Sequence, residues 1–305
     1  MLSVIIVTYN GMQWLERCLA SVPTSYELVI VDNHSTDGTV AFIEENYPKA
    51  KLFKEKQNLG FGQANNKGIR YALNQGADYV YLLNQDAYLE ANTIEKLIEI
   101  CQQDHTFGIL SPFHYTDGFK RLDANFLMYL ERYGVHHQVI KDANEVKLKN
   151  VYEIPFVNAA GWLLTKEVLE KVGGFDPLFF HYGEDRNYSQ RVLFHNLKIG
   201  IVLGSFMIHD RADRKAEPVQ KYSEKYYEEF SRYAKIDWGD INLADFETKF
   251  QLKLAYWKSL QRKALLKFNF FKYKDLNRKL RLLKILYPQL QQSRLQNKKT
   301  YQSYL

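Results

Sequence analysis

The sequence contains few cysteines and no long apolar run. Only two of its 305 residues are cysteines, Cys18 and Cys101, and they lie far apart in helix-like patterns. This argues against a disulfide framework or a zinc site and fits a reducing compartment. No apolar run approaches the roughly 18 residues that a membrane-spanning helix needs. The chain opens on the strand-like run Leu2–Val7, without a basic segment or cleavage site, so we expect a cytoplasmic protein without a signal peptide.

Charge is distributed unevenly along the chain. The formal net charge is +6, yet residues 249–305 alone carry fifteen lysines and arginines and a single acid, Asp275. Residues 1–248 carry twenty-six basic and thirty-four acidic side chains. A mildly acidic body with a strongly basic end indicates an anionic surface as a partner. The length allows one large domain or two smaller ones.

Two hydrophobic periods alternate over the first 110 residues. Short apolar runs suited to buried strands are followed by apolar residues at helical spacing. The predicted elements are strands at Val4–Val7, Leu28–Val31, Leu52–Phe53 and Tyr79–Leu83, and helices that include Gly62–Asn74 and Ala91–Gln103. This alternation predicts an α/β fold in which helices cover a mostly parallel sheet.

The pattern changes after residue 106. From Phe107 to Pro155 we expect antiparallel strands and loops that could shape an acceptor pocket. The remaining predicted elements are helices at Lys166–Val172, Asn187–Asn196, 222–233 and 246–291 and a strand at Lys198–Leu203. We therefore divide the chain into an α/β body, residues 1–215, and a basic, aromatic-rich helical region, residues 216–305.

Polar residues follow the first two predicted strands. Thr8, Tyr9 and Asn10 follow the first strand, and Asp32 ends the second. In open α/β sheets, ligands bind beyond the carboxyl ends of the strands. Asp32 could accept a hydrogen bond from the imide N–H of uracil or thymine. The alternative is a structural turn, in which a following serine or threonine caps a helix and Asp32 only ends its strand.

A glycine-rich segment, Asn58–Gly68, leads into a predicted helix. Its backbone N–H groups could approach a phosphate or a base. The spacing of its glycines and its position after the third strand differ from a dinucleotide fingerprint. The segment also lacks the Gly-Lys-Ser/Thr ending of a P-loop. A capped turn without a ligand is the alternative interpretation.

Asp86 and His209 are candidate metal ligands. Asp86 closes the run Tyr81–Asp86, and His209 follows the last predicted strand of the body. A carboxylate in that position can bind Mn²⁺ or Mg²⁺, which neutralises a diphosphate. A neutral imidazole could complete the site. Alternatively, Asp86 is a turn or N-cap residue and His209 is structural.

The segment His181–Arg186 places two adjacent acids, Glu184 and Asp185, just before a predicted helix. Their proximity should push their proton affinities apart. A carboxylate so placed can take a proton from an attacking hydroxyl. The alternative is that both acids only stabilise the positive end of the helix dipole.

The basic end of the chain combines aromatic residues with an apolar stripe. Ten aromatic residues lie between Phe250 and Tyr304 among lysines and arginines. The stripe consists of Leu276, Leu280, Leu283, Tyr287 and Leu290. Such a helix suits an anionic bilayer, so residues 249–305 could hold the protein on a membrane. Alternatively, the stripe packs on the body or on a second subunit of a homodimer. Nucleic-acid binding is the least favoured alternative, because no nucleic-acid motif is recognisable.

Taken together and in order, five segments resemble family 2 glycosyltransferases with the GT-A fold, and most closely the rhamnosyltransferase-like branch, which builds bacterial surface polysaccharides. The segments are Val4–Asn10, Val31–Thr39, Asn58–Gly62, Leu83–Asp86 and Gly174–Asp185. The resemblance covers roughly residues 1–210. It implies a nucleotide-binding half at about residues 1–106 and an acceptor-binding half at about residues 107–215.

The resemblance also implies a role for each candidate residue. The nucleotide and donor would be bound by Thr8, Tyr9, Asn10, Asp32, Asn58, Gly60, Asn65, Asn84, Gln85 and Asp86. Trp162 and His181 would flank the donor sugar or the acceptor. Asp86 and His209 would bind Mn²⁺ or Mg²⁺. Asp185 would be the catalytic base of an inverting transfer, with Glu184 beside it.

One position departs from the family pattern. The first acid of the Asp-x-Asp element is replaced by Asn84, which can hydrogen-bond a ribose but contributes no charge. The Gln-x-x-Arg-Trp signature of processive synthases is absent, so we expect transfer of a single sugar. The donor would be a UDP- or dTDP-linked sugar and the acceptor a glycan or a polyprenyl-linked molecule at the cytoplasmic membrane face. A catalytically silent homologue that binds a glycan or a protein, and a nucleotidyltransferase, remain alternatives.

Overall fold

The structure is a computed structural model that describes residues 1–116, 118–211, 218–300 and 303–305. The chain forms two compact units, Met1–Arg214 together with Thr300–Leu305, and Lys215–Lys299. The predicted boundary at residues 215–216 lies outside the described residues. We call the two parts the sheet unit and the helical unit.

The sheet unit alternates strands and helices as the sequence predicts, with some different boundaries. In chain order its elements are β1 (Leu2–Thr8), α1 (Met12–Ala20), β2 (Glu27–Asp32), α2 (Thr39–Asn46), β3 (Lys51–Lys54), α3 (Phe61–Asn74), β4 (Tyr79–Asn84), β5 (Ala87–Leu89), α4 (Thr93–Gln103), β6 (Phe107–Thr116), β7 (Arg121–Leu122), α5 (Ala124–Arg132), α6 (Val135–Asn144), β8 (Val151–Glu153), β9 (Gly161–Thr165), α7 (Lys166–Val172), α8 (Glu184–Phe194) and β10 (Lys198–His209).

These strands form a sheet with the central order β3-β2-β1-β4-β9-β6-β10-β5, in which β7 pairs with β6 and β8 with β10. The half that contains β1 to β4 is parallel. The other half is mixed, because β9, β5 and β8 run antiparallel to their neighbours. Successive residues of β1 face opposite layers, with Ile5 in one hydrophobic cluster and Val4 and Ile6 in the other. The sheet is therefore covered on both faces, as expected for a parallel sheet.

The region between Phe107 and Pro155 differs from our prediction. We expected antiparallel strands and loops. Antiparallel pairing is present between β6 and β7 and between β8 and β10, but β6 is also parallel to β10, and α5 and α6 are helices. The side chain of Asp123 accepts a hydrogen bond from the N–H of Phe126 at 2.9 Å and so caps α5. Polar residues inside β6, among them His114, break the apolar run that would have marked a buried strand.

Strand β10 continues six residues beyond the predicted end at Leu203. Its register with β6 shifts between Ile201 and Phe206, and Gly204 adopts φ +81° inside this irregular stretch. An extra residue at a bulge needs such a conformation, which glycine adopts without strain. The bulge lets β10 continue past the irregularity and carry His209 to the sheet edge described below.

The helical unit contains α9 (Glu224–Gly239), α10 (Phe246–Leu266) and α11 (Phe270–Asn297). The apolar stripe of α11 is buried at Leu276, Leu280, Leu283 and Leu290, and α11 contacts both α9 and α10. Of the two alternatives for this stripe, packing within the protein is the one observed, because these leucines form the core of the unit. Binding of residues 249–305 to an anionic membrane stays a prediction. No helix in the described ranges is long and apolar enough to cross a bilayer.

The last described residues return to the sheet unit. The N–H of Gly174 donates a hydrogen bond of 2.8 Å to the carbonyl of Ser303. The buried guanidinium of Arg191 lies 5.3 Å from the ring centre of Tyr304 and donates to the carbonyls of Val172 and Gly174. Burial lowers the pKa of Arg191. These contacts fix the turn that leads into the segment Phe175–Asp185.

Candidate functional site

The loops after β1 and β2 are joined at the carboxyl end of the sheet. The hydroxyl of Thr8 donates to one oxygen of Asp32 at 3.0 Å, and the N–H of Ser35 donates to the other at 2.9 Å. Asp32 is buried, and each carboxylate oxygen has further acceptor capacity. The structure therefore positions Asp32 at the edge where open sheets bind ligands.

Asn10 and Gln85 hold the backbone around this edge. The N–H of Asn10 donates to the Ser35 hydroxyl at 2.9 Å, and the Asn10 side chain accepts from the N–H of Thr36 at 2.8 Å. The Gln85 side chain accepts from the N–H of Tyr9 at 2.9 Å and donates to its carbonyl at 3.2 Å. The ends of β1, β2 and β4 are thus linked, and the ring of Tyr9 stays exposed.

Asn33 organises the glycine-rich loop, a role that our sequence analysis missed. Its amide donates to the Asn58 side chain at 2.9 Å and accepts from the N–H of Leu59 at 2.7 Å. Asn58 also accepts from the N–H of Gly60 at 2.8 Å. The Asn65 amide is buried and donates to the carbonyl of Phe61 within its own helix at 3.0 Å. Asn58 and Asn65 therefore shape the loop and helix. Asn33 follows Asp32 directly, which was the available signal.

Gly60 brings this loop against the segment that precedes the two acids. It has φ +78°, and a Cβ at this position would lie 1.9 Å from the carbonyl oxygen of Phe180. Asn66, which we did not predict, joins the same two regions. Its side chain accepts from the N–H of Phe175 at 2.7 Å and donates to the Phe175 carbonyl at 2.8 Å. The loop before α3 and the segment Phe175–Asp185 are therefore one packed structure.

Asp86 and His209 meet at the end of β4. The antiparallel pairing of β5 with β10 sets His209 opposite Ala87, the neighbour of Asp86. Nε2 of His209 lies 3.6 Å from Asp86 Oδ1, and Nδ1 lies 3.7 Å from Asp123 Oδ2. All three side chains are buried. Our sequence analysis missed Asp123, whose only signal was its N-cap position before a helical run.

This cluster fits part of a divalent cation site. In the described ranges no three His, Cys, Asp or Glu side chains are arranged to hold a metal ion. Asp86 and His209 offer two ligand atoms 3.6 Å apart, a separation that one ion could bridge with bonds of about 2.1 Å. Among the described residues, neither ring nitrogen of His209 has a hydrogen-bond partner, and the same holds for the buried Oδ1 of Asn84. Mg²⁺ commonly takes one or two carboxylates and completes its shell with substrate phosphates and water.

A second buried imidazole, that of His114, lies behind His209. The ring centres are 6.0 Å apart, and Nε2 of His114 is 2.9 Å from the hydroxyl of Ser111. Burial, reinforced by His209 and Arg211, holds the pKa of His114 well below its usual value. His114 is therefore neutral at physiological pH, and it adds no positive charge that would repel a cation.

The two adjacent acids at the start of α8 have different surroundings. Glu184 is buried and packs on Gly62 of α3. Asp185 is half-buried, and burial raises its pKa, although hydrogen bonds from backbone N–H groups of Arg186 and Ala159 oppose the shift. A carboxylate with a raised pKa is the more effective proton acceptor.

Aromatic and basic side chains surround Asp185. The guanidinium of Arg186 lies 3.6 Å from the ring centre of Phe156 and donates to the hydroxyl of Tyr133 at 2.6 Å. Asp185 contributes to a raised pKa of Tyr129, for which burial is the main cause. Our sequence analysis gave no role to Arg186, to Tyr129 of α5 or to Tyr133, which follows that helix. Arg186, the neighbour of Asp185, is therefore held between the ring of Phe156 and the hydroxyl of Tyr133.

Trp162 and His181 are placed differently. Trp162 is completely buried in β9, and its ring stacks on Phe175 with centres 6.3 Å apart. The ring of Trp162 is therefore part of the core in this structure, and its expected position beside a sugar stays a prediction. His181 is exposed, and its ring centre lies 3.9 Å from that of Tyr182. The expected role of His181 beside the donor sugar or the acceptor stays a prediction.

Known proteins resemble this chain over most of the sheet unit. Residues 3–173 match the model of the family described as glycosyl transferase family 2. The N-acetylglucosaminyl-diphospho-decaprenol L-rhamnosyltransferase of Mycobacterium tuberculosis is 28% identical over 214 residues, 63% of this chain and 70% of the relative. The dTDP-rhamnosyl transferase RfbF of Shigella flexneri is 23% identical over 232 residues, 73% of this chain and 75% of the relative.

Solved structures show the same fold. GalNAc-T7 with UDP, GalNAc and Mn²⁺ superposes with a TM-score of 0.56 at 18% identity, over 77% of this chain and 47% of the other. TarS of S. aureus in complex with UDP-GlcNAc gives a TM-score of 0.55 at 18% identity, over 96% of this chain and 87% of the other. The predicted GT-A type of α/β fold is thereby confirmed. With more than half of its residues matched by the family model, the chain belongs to glycosyl transferase family 2.

Proposed function

We propose that this protein is an inverting glycosyltransferase that moves one sugar from a dTDP- or UDP-linked donor to a hydroxyl of a glycan or polyprenyl-linked acceptor. Its task would be the synthesis of a bacterial surface polysaccharide at the cytoplasmic membrane face. The names of the relatives favour a rhamnosyl donor linked to dTDP and a lipid-linked acceptor. The family membership supports glycosyl transfer itself.

The arrangement of carboxylates is the observation that carries this proposal. Asp32 and Asp86 lie at the carboxyl ends of β2 and β4, where a nucleotide would bind. Asp185 is the second residue of α8. The glycine-rich segment lies against Phe180, before this helix, at Gly60 and against Glu184, its first residue, at Gly62. One group of acids therefore suits the nucleotide and its cation, and a separate acid with a raised pKa suits the acceptor.

In the proposed reaction the donor diphosphate would bind near Asp86 and His209. A bound Mn²⁺ or Mg²⁺ would neutralise charge that develops on the leaving diphosphate. Asp185 would accept the proton of the acceptor hydroxyl while that oxygen forms its bond to the anomeric carbon. The bond from that carbon to the diphosphate oxygen breaks, so the nucleoside diphosphate leaves and the configuration inverts. Arg186, Phe156 and Tyr133 would orient the acceptor.

Nucleotide binding is the first test. Thermal unfolding would be followed with UDP, dTDP, GDP, CMP and ATP, each with and without Mn²⁺. We expect a shift that needs both Mn²⁺ and one of the two pyrimidine diphosphates, dTDP or UDP, because a ligand that binds only the folded state raises its stability. Release of the nucleoside diphosphate from dTDP-rhamnose and from UDP-GlcNAc, with a lipid-linked acceptor, would then be measured.

The outcome separates this proposal from a binding module without catalysis. Metal-dependent nucleotide binding without release of the diphosphate from any donor would favour a silent homologue, for which the asparagine at position 84 is the motivating observation. Well-folded protein that binds none of the nucleotides would contradict the proposal.

A further inference from the structure

The turn between α10 and α11 exposes an unusual group of large apolar side chains. Residues 265–271 include Leu265, Leu266, Phe268, Phe270 and Phe271, and all five are exposed. The exposed fraction reaches 80% for Phe268 and 78% for both Leu266 and Phe271. We call residues 265–271 the apolar tip. Contiguous exposed apolar groups of this kind mark interaction sites, whereas scattered ones need no explanation.

Hydrogen bonds define the backbone conformation of the apolar tip. The N–H of Phe268 donates to the carbonyl of Leu265 at 3.0 Å, and the N–H of Asn269 donates to that of Ala264 at 2.9 Å. The Asn269 side chain then accepts from the N–H of Lys272 at 3.0 Å and caps α11. The exposed rings are therefore carried by a defined turn between two helices.

Phe268 adopts φ +51° within this turn. A left-handed conformation is strained for a bulky residue, and glycine or asparagine would adopt it more easily. The ring gains little packing in return, because it is almost fully exposed and its contact with Phe270, at 6.4 Å between ring centres, is itself on the surface. Backbone strain that packing within the protein does not offset indicates that the Phe268 ring has a function, such as contact with a partner.

Positive charge surrounds the apolar tip. Lys263, Lys267, Lys272 and Lys274 are exposed and lie within or beside it. The only acid in residues 249–305, Asp275, pairs with Lys279 at 3.1 Å. The tip therefore combines apolar side chains with four exposed lysines, none of which forms a salt bridge among the described residues.

A basic cavity of about 330 Å³ lies between α10 and α11 near this tip. It is lined by Lys258, Gln261, Arg262, Asn277, Leu280, Arg281 and Lys284. The amide of Gln261 donates to Asn277 at 3.0 Å inside it. None of the four cationic side chains forms a salt bridge within the described part of the chain. Such a cavity suits an anion such as a lipid phosphate.

We propose that the apolar tip inserts into the interfacial layer of an anionic lipid bilayer. The leucines and phenylalanines would enter the boundary between headgroups and acyl chains, while the four lysines and the basic cavity hold lipid phosphates. This surface differs from the α11 stripe that the sequence suggested, since the stripe is buried within the helical unit.

Two other partners fit this surface less well. A second copy docked tip to tip by a two-fold axis would place like-charged lysines against each other, which is unfavourable. A nucleic acid would neutralise the lysines, but it would leave the apolar tip against a charged phosphate backbone. An anionic bilayer satisfies both the charges and the exposed rings.

Sedimentation of the full-length protein with lipid vesicles tests the proposal. Binding would be compared between vesicles of phosphatidylcholine alone and vesicles of equal parts phosphatidylglycerol and phosphatidylcholine. We expect binding that needs phosphatidylglycerol and weakens with salt. The triple variant Leu266→Ser, Phe268→Ser, Phe271→Ser should bind at least tenfold more weakly.

A matched variant tests whether the loss of any exposed apolar side chains, and not only those of the apolar tip, weakens vesicle binding. Leu252, Ile285 and Leu295 are exposed on α10 and α11 outside the apolar tip. The triple variant Leu252→Ser, Ile285→Ser, Leu295→Ser should bind vesicles like the wild type. A second variant, Arg262→Gln, Arg281→Gln, Lys284→Gln, should lose much of the preference for phosphatidylglycerol, because it removes charge from the basic cavity.

Three outcomes would overturn the proposal. The first is equal vesicle binding by the wild type and the tip variant. The second is a wild-type dimer in sedimentation velocity that becomes monomeric in the tip variant, which would assign the tip to a second copy. The third is retention of nucleic acid but not of vesicles. Transfer to a soluble acceptor should be unchanged in the tip variant, so failure here is distinguishable from failure of the proposed enzymatic activity.

Discussion

Glu184 and Asp185 are neighbours in the sequence, yet α8 directs them to different surroundings. Successive residues of a helix do not share a face, so one side chain packs on Gly62 while the other lies near Ala159 and Arg186. This division explains how an acidic doublet can supply one carboxylate for structure and one for proton transfer. The sequence identified the doublet but not the division, because Gly62 lies more than a hundred residues earlier in the chain.

Replacing Asp185 with Asn tests the proposed base. The substitution keeps the size of the side chain but removes its ability to accept a proton at neutral pH. We expect the turnover number to fall roughly 10²- to 10⁴-fold, the usual contribution of a general base, while donor binding is retained. Initial rates and nucleotide titration would be measured on the same preparation. Full activity in this variant would rule out Asp185 as the base.

The raised pKa of Asp185 predicts a pH dependence of both activity and stability. The acidic limb of kcat/KM should lie above the ordinary aspartate value of about 3.9, and activity should fall as the pH falls through the raised pKa.

Because the folded state binds the proton of Asp185 more tightly than the unfolded state does, the ionised carboxylate costs stability above that pKa. Asp185→Asn should therefore unfold at a higher temperature than the wild type near neutral pH, and the difference should vanish below about pH 3.9, where the carboxyl is protonated in the folded and unfolded states alike. A less stable variant at neutral pH would contradict this expectation.

Asp123 is expected to act on the cation through His209. The substitution Asp123→Asn keeps a good N-cap for α5 but removes the charge 3.7 Å from Nδ1 of His209. Loss of such a partner typically weakens metal binding by about 10- to 100-fold. Titration with dTDP or UDP and Mn²⁺ should show this loss, whereas the melting temperature should change little. Asp123→Ala, which removes the cap as well, should also lower the melting temperature.

At the scale of elements, the sequence predicted the parallel half of the sheet better than the mixed half. Strands β1, β2 and β4 are apolar runs that any periodicity analysis detects. Strand β6 is buried through its position between β9 and β10, although its sequence contains Pro112 and His114. Tertiary context overrides local propensity in such a strand. The pairing of β5 with β10, which creates the contact between Asp86 and His209, has no local signal.

The glycine-rich loop closely approaches the segment Phe175–Asp185. This predicts that alanine substitutions at two glycines differ in their effect on stability and turnover. Gly60 and Gly76 both have positive φ, but a Cβ would meet the carbonyl of Phe180 only at Gly60. Gly76→Ala should cost only the strain of the left-handed conformation, about 1–2 kcal/mol. Gly60→Ala should cost more stability and should also reduce turnover. Thermal unfolding and initial rates of both variants would check this, and equal effects would argue against a role for the loop contact.

At the scale of the whole molecule, the two units differ in charge and in the kind of core. The sheet unit encloses two hydrophobic layers, and the helical unit is held by buried leucines of α11 and aromatic contacts such as Phe250 with Tyr287 at 5.0 Å. The uneven distribution of charge along the chain could be predicted from the sequence. The return of Thr300–Leu305 to the sheet unit could not be predicted, because short terminal segments carry no periodic pattern.

Two cores of different composition predict two calorimetric transitions. A nucleoside diphosphate with Mn²⁺ should shift only the transition of the sheet unit, by an amount that corresponds to about 2.7 kcal/mol at a hundredfold excess over Kd. Differential scanning calorimetry of the full-length protein with and without ligand would measure both. A single transition that shifts as a whole would show that the units unfold together.

The return of the chain to the sheet unit has a topological consequence. The helical unit is an insertion whose two ends both lead into the sheet unit. A protease that cuts once in the apolar tip would produce a carboxyl-terminal fragment. This fragment contains α11, which packs on α9 and α10. It also contains Ser303 and Tyr304, which contact Gly174 and Arg191. The nicked protein should therefore migrate as one particle under native conditions and separate into two polypeptides only in denaturant.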